Sequence, residues 1–139
     1  MARVRRYARR RAQPEAELQR AAAKLLDSLG LWWCHIPNGG ARDARVGAEL
    51  KRQGVKPGAP DAYIFDIPPK CPCARGVAIE FKTNNGRLTD SQKQWVIELD
   101  RRGCLYREVR SFDELVDFMI ELGFADGVDD RCKALCSVR

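Results

Sequence analysis

The sequence lacks a long apolar run. No segment approaches the roughly 20 consecutive apolar residues of a membrane-spanning helix, and the arginine-rich N-terminus has no apolar stretch behind it of the kind a secretory signal carries. Both absences point to a cytoplasmic protein with no membrane partner, in a host cytoplasm if the chain is viral. No internal repeat divides the 139 residues, a length usual for one domain with its own core. Histidine is almost missing. His35, the single one, lies in a strand-like stretch and reads as a packed, hydrogen-bonded side chain rather than a base. Acid is missing from residues 1–12, which carry Arg3, Arg5, Arg6, Arg9, Arg10 and Arg11. These six arginines account for the whole formal charge of +6, and the rest of the chain holds 19 basic and 19 acidic groups. A flexible basic arm on a neutral body reads as a tether for a polyanion, where each neutralised phosphate releases counterions. The plainer reading is a solubilising tail.

Six cysteines are present: Cys34, Cys71, Cys73, Cys104, Cys132 and Cys136. In a reducing compartment they are thiols. Cys34 and Cys104 fall in apolar strand contexts and are expected in the core. The pairs in "CPC" and "CKALC" suggest four zinc thiolates. The CxC spacing argues against it, since zinc pairs usually leave two to four residues between cysteines.

Periodicity and punctuation divide the chain into elements. Pro14 suits a first helical position, with Glu15 and Glu17 at the positive end of the helix. Leu18, Ala22, Leu25 and Leu29 form its apolar stripe and Gly30 closes it. "LWWCHI" (Leu31–Ile36) reads as a strand. A long polar, Gly-rich connection follows, with a short helix near Ala48–Gln53; loops this long in a compact domain are often functional. "DAYIF" and "VAIEFK" read as strands paired antiparallel across "DIPPKCPCARG", whose prolines forbid a central strand. "TDSQ" and "SFDE" are capping-box signatures, Thr89 with Gln92 and Ser111 with Glu114. They open two helices, with "CLYREV" between them as a fourth strand. The expected fold is α/β, a mixed sheet flanked by helices in the order αβββαβα. One domain spans residues 13–123, between an arm of residues 1–12 and a tail of residues 124–139.

The chemistry concentrates in two of the strands. Period-2 geometry puts Val77, Ile79 and Phe81 on one face and Ala78, Glu80 and Lys82 on the other. If Asp61 and Glu80 lie on neighbouring strands, their carboxylates converge at one end of the sheet. Two carboxylates alone repel and their pKa values rise; a divalent cation between them removes that cost. Mg²⁺ favours hard oxygens and keeps several waters, so two carboxylates and a backbone carbonyl, that of Phe81, suffice. Lys82 lies on the same face as Glu80, where its ammonium can hold an attacking water or offset charge growing on a phosphate. The set describes phosphodiester hydrolysis. Glu15, on the inward stripe of the first helix, offers a third carboxylate, and Gln92 shares a face with Trp95, Val96 and Leu99. Each residue also has a bland reading. Asp61 is then a turn residue after Pro60, Glu80 and Lys82 a charge pair on a wet strand face, Glu15 a helix-dipole partner, and Gln92 a capping residue only.

Taken in order, "EAELQ", "PNGG", "GVKPGAPD", "IEFKT" and "LTDSQKQW" resemble the VRR-NUC family of PD-(D/E)XK nucleases, over roughly Glu15 to Phe118. The resemblance implies a restriction-endonuclease-like core and Mg²⁺- or Mn²⁺-dependent cleavage of DNA. It matches Glu15 to the family's helix-one glutamate, Asp61 to the PD aspartate, Glu80 and Lys82 to the ExK pair, and Gln92 to the glutamine opening the next helix. Glu80, Asp61 and the Phe81 carbonyl then hold the metal, with Glu15 nearby, directly or through water. Short free-standing viral and bacterial members look like homodimers that cut branched DNA such as four-way junctions, and larger members carry extra domains for flap processing. In this reading the loop at Asn38, Gly39 and Gly40 borders the cleft, and Arg42, Arg45, Lys51 and Lys56 contact phosphates. The "CPC" tip and "CKALC" are not part of the family pattern. Three rival expectations stand beside this one: a non-catalytic DNA-binding module, an RNA-cleaving enzyme, and a zinc protein built on the cysteines.

Overall fold

A computed structural model describes residues 15–37 and 43–126. The elements run α1 (Glu15–Ser28), β1 (Trp33–His35), α2 (Ala44–Arg52), β2 (Ala62–Ile64), β3 (Val77–Phe81), α3 (Asp90–Arg101), β4 (Leu105–Val109) and α4 (Phe112–Leu122). The order is the expected one, with α2 inserted in the long connection. That helix begins ahead of the expected Ala48 because Asp43 caps it, its carboxylate accepting from the Arg45 backbone N–H at 2.9 Å.

The sheet order is β1-β2-β3-β4. β1, β2 and β3 pair antiparallel; β3 and β4 pair parallel, the connection between them carrying α3. Cross-strand register assigns the faces. Ala62, Ile79 and Arg107 are partnered across the strands, as are Ile64, Val77 and Leu105. That face carries the core, where Ile79 and Phe81 meet Leu18 and Leu25 of α1 and Leu115 and Met119 of α4. Arg107 fits there by lying 4.4 Å over the Phe118 ring while its guanidinium pairs with Glu121 at 2.8 Å. On the opposite face, α3 lies toward β4 through Leu99, with Trp95 and Val96 half-buried. All five residues of β3 are therefore buried, which removes the wet-face reading of Glu80.

Three expectations change. Cys34 is exposed rather than in the core. It partners Tyr63, so it lies on the α3 face of the edge strand, whereas α3 packs toward β4 at the other edge. His35 is hydrogen-bonded as expected, but exposed rather than packed. Packing also continues past Gly123: Ala125 is buried and Phe124 lies against the core. Among the described residues, no helix is long and apolar enough to cross a membrane. The arginine arm, Asn38 to Arg42, Cys132 and Cys136 fall outside the described residues.

The loop before β2 is pressed onto the start of α3. Trp95 Nε1 donates to the Pro57 carbonyl at 3.0 Å. Gly58 has φ +80°, and a Cβ there would stand 2.5 Å from the Ser91 carbonyl carbon and 2.7 Å from the Gln92 nitrogen. Only glycine fits, and the contact holds the segment that leads to Asp61 against the start of α3. We predict that Gly58→Ala costs at least about 1 kcal/mol of stability, measured as a lower urea midpoint. An unchanged midpoint would show that this contact does not position the loop.

Candidate active site

Asp61 is fixed by its backbone and its side chain together. Its carbonyl accepts from the Ile36 N–H and from His35 Nδ1, each at 2.7 Å, which ties it to the end of β1. Its Oδ2 accepts from the Phe81 N–H at 2.8 Å, which ties it to the end of β3. The antiparallel register that joins Ala62 to Ile79 puts Asp61, one step further, opposite Glu80. The two acids thus come from segments 19 positions apart and meet where β2 begins and β3 ends.

Glu80 is 3 % exposed, the one charged residue in the buried set among the described residues. Its Oε1 accepts from Gln92 Nε2 at 2.6 Å and lies 3.4 Å from Lys82 Nζ. Lys82 Nζ in turn donates to Gln92 Oε1 at 3.0 Å. That same amide oxygen accepts from the Thr89 N–H at 2.9 Å, while Thr89 Oγ1 accepts from the Gln92 N–H. The capping box at the start of α3 is therefore also the clamp that aligns the carboxylate and the ammonium, and Gln92 performs both jobs.

Burial, and then the charge of Asp61, raise the Glu80 carboxyl to about 7 against the opposing pull of Lys82. Burial raises Asp61 too, opposed by the hydrogen bond from Phe81. The charge of Glu15 adds to both shifts, so the exposed first turn of α1 reaches the site's rim rather than its interior. Glu80 Oε2 is buried with no hydrogen-bond partner. An unpaired buried carboxylate oxygen is costly, and a hard divalent cation would satisfy it. The described residues hold no ready group of three acidic, histidine or cysteine ligands. The two carboxylates are hard-oxygen donors of the kind that Mg²⁺ with its retained waters would take, and the Phe81 carbonyl follows Glu80 directly in the chain.

Arg45 and Lys51 are exposed on α2, which buries none of its residues, and Lys56 is exposed just before Pro57. Arg42 lies outside the described residues. Two further residues border the site without a local sequence signal. The Tyr106 hydroxyl is buried without a partner, and burial, followed by the charges of Glu80, Glu108 and Asp61, raises its pKa. Arg110 donates to the carbonyls of Thr83 at 2.6 Å and Gly86 at 2.8 Å and pairs with Glu108 at 2.8 Å, lashing the loop after β3 to the end of β4. Register places Glu108 beside Glu80, but nothing short of the parallel pairing reveals that.

The folded state holds the Glu80 proton more tightly than the unfolded chain does. This group therefore favours folding at low pH, and that contribution is lost as pH rises from the ordinary carboxyl value of 4.5 through about 7. We predict that metal-free protein melts at a lower temperature at about pH 8 than at about pH 5, and that Glu80→Gln shrinks the difference. An identical pH dependence in both proteins, by calorimetry, would contradict this account of Glu80.

Comparison with known proteins agrees with the geometry. The VRR-NUC domain family, a family of nuclease-type domains, matches residues 13–113. A solved structure described as a VRR_NUC domain protein superposes with a TM-score of 0.63 at 24 % identity, covering 81 % of this chain and 93 % of that one. A search of curated protein sequences finds no significant match. The family match takes in every residue of the acid–lysine–glutamine cluster, and the chain belongs to the VRR-NUC family.

Proposed function

We propose that the domain is a Mg²⁺- or Mn²⁺-dependent endodeoxyribonuclease that selects DNA by structure. The observation that carries this reading is the buried, half-satisfied Glu80 carboxylate opposite Asp61, with Lys82 held beside it by Gln92. Asp61, Glu80 and the Phe81 carbonyl would hold the ion, with Glu15 completing the shell directly or through water. Such an ion would polarise the scissile phosphate and make water more acidic. Lys82 orients the attacking water and offsets the charge that grows on the phosphate. Gln92 keeps the Lys82 ammonium from collapsing fully onto Glu80, since its amide oxygen takes one of the three ammonium donors.

Arg42, Arg45, Lys51, Lys56 and the arginine arm supply phosphate contacts, which orient a duplex without reading its sequence. Selectivity then falls to DNA shape and deformability, as on four-way junctions and flaps. A homodimer places two sites about a two-fold axis, as a symmetric branched substrate requires.

The direct test is cleavage of labelled linear, flap and four-way-junction DNA with Mg²⁺, Mn²⁺ or EDTA. Lys82→Ala and Asp61→Ala are expected to lose roughly 10²-fold or more in rate while still binding DNA, and EDTA to abolish cleavage. Cleavage by Asp61→Ala at the wild-type rate would end the proposal. A deletion of residues 1–12 is expected to weaken binding and to flatten the dependence of log K on log salt, by about 0.9 for each phosphate that the arm would have neutralised. A slope equal to that of the full chain would remove the arm from DNA binding.

A further inference from the structure

His35 ends β1 at the end of the sheet where Asp61 and Glu80 meet. Its pairing with Ala62 puts its side chain on the face that carries α1. Two polar ties join this edge strand to the helix. Trp33 Nε1 donates to Asp27 Oδ1 at 2.8 Å, near the end of α1. Near its start, the Gln19 amide nitrogen lies 2.6 Å from His35 Nδ1 and 3.2 Å from His35 Nε2. The same ring reaches the Asp61 carbonyl through Nδ1, at 2.7 Å.

These contacts select one tautomer. A neutral imidazole carries one N–H and one lone pair on nitrogen. The Asp61 carbonyl only accepts, so the proton sits on Nδ1. The Gln19 amide nitrogen only donates, so the lone pair that receives it is on Nε2. The bonds therefore run in one direction, from Gln19 to His35 and from His35 to Asp61. The Asp61 carbonyl also takes the Ile36 N–H at 2.7 Å, so both of its lone pairs are used. Its peptide is held from β1 while its carboxylate is held by the Phe81 N–H of β3. Gln19 lies one turn beyond Glu15 on α1, the spacing that puts two side chains on one face. Pinning Gln19 thus also sets the position of Glu15, whose charge is felt at both Asp61 and Glu80.

We infer that Gln19 and His35 are positioning residues: together they fix where Asp61 and Glu15 stand, and so set how tightly the divalent ion is held. Their role presupposes the cation site proposed above. Neither side chain touches the ion or the phosphate. His35 acts through the Asp61 backbone, and Gln19 through the His35 ring. Groups that orient metal ligands typically change metal affinity by about 10- to 100-fold when lost. A tie to the backbone of the ligand, rather than to its carboxylate, belongs at the low end of that range. Histidine suits the position because it bonds at two points. Asparagine places an N–H where Nδ1 stands and nothing where Nε2 stands. Glutamine places its amide near the Nε2 position and has no donor at the Nδ1 position.

Binding of Mn²⁺ to the full chain without DNA tests this, followed by the fall in the free-ion electron paramagnetic resonance signal, a readout that needs no cleavage. Gln19→Met and His35→Asn each break the tie to Gln19 and leave the bond to Asp61 in place. Each is expected to weaken binding roughly threefold, the size of one modest hydrogen bond. The two combined are expected to do no more than either alone, since both break the same contact. His35→Gln loses the bond to Asp61 and is expected to weaken binding about tenfold. Both His35 variants lack the ring, so the difference between them reads the Nδ1 bond and not the loss of imidazole. Equal binding by His35→Asn and His35→Gln would overturn the inference, as would additive losses in the double variant. Wild-type binding that every one of these variants preserves would remove the positioning role and leave the cation site standing. Wild type that binds Mn²⁺ no better than Asp61→Ala would remove the cation site, and the positioning role with it.

Discussion

A carboxylate on the central strand has to be held under two helical layers, and much of the site follows from that constraint. Glu80 is buried because β3 has a strand on each side and a helix over each face. Burial alone would neutralise it at ordinary pH. Lys82 and Gln92 compensate one oxygen, and the other is left without a protein partner. The fold thus keeps an uncompensated anion at the one end of the sheet where Asp61 also arrives. Strain of this kind persists only where the surroundings over-determine the geometry. Here they do, through the Gly58 contact, the capping box and the two carbonyl-directed bonds on Asp61.

The same residues serve structure and chemistry, so the two are hard to separate by deletion. Gln92 caps α3 and aligns two charges; Asp61 joins β1 to β3 and supplies a carboxylate. Removing either one disturbs the frame as well as the site. Lys82 is the cleaner probe of function. It lies beyond the last residue of β3, and its side-chain bond is to Gln92 rather than to any backbone group.

Much of this architecture is legible in the residues. The apolar alternation of Val77, Ile79 and Phe81, the stripe on α1 and the Thr89–Gln92 signature each correspond to an observed element, because each depends on local geometry. The Ser111–Glu114 signature is half realised. Ser111 accepts from the Glu114 N–H, but the Glu114 carboxylate takes the Arg110 N–H instead of that of its cap. What the residues do not show depends on distant neighbours. The exposure of Cys34 follows from where α3 crosses the sheet, and the two-sided burial of Glu80 from the same crossing. Tyr106 and Arg110 carry no motif; only the parallel pairing of β3 with β4 brings Tyr106 near the acids and Arg110 to the loop after β3.

The lashing of the loop at residues 83–86 by Arg110 has a consequence for how the protein is made. Every acid of the site, together with Lys82 and Gln92, leaves the ribosome before Arg110 does. Until β4 has emerged, β3 is an open edge and the loop beside Lys82 has nothing to bind it. Translation runs from the N-terminus at about 5–20 residues per second, so this interval lasts on the order of a second or more. A nascent chain therefore carries these acids, Lys82 and Gln92 before it can organise them, and β4 is the strand whose arrival completes their frame.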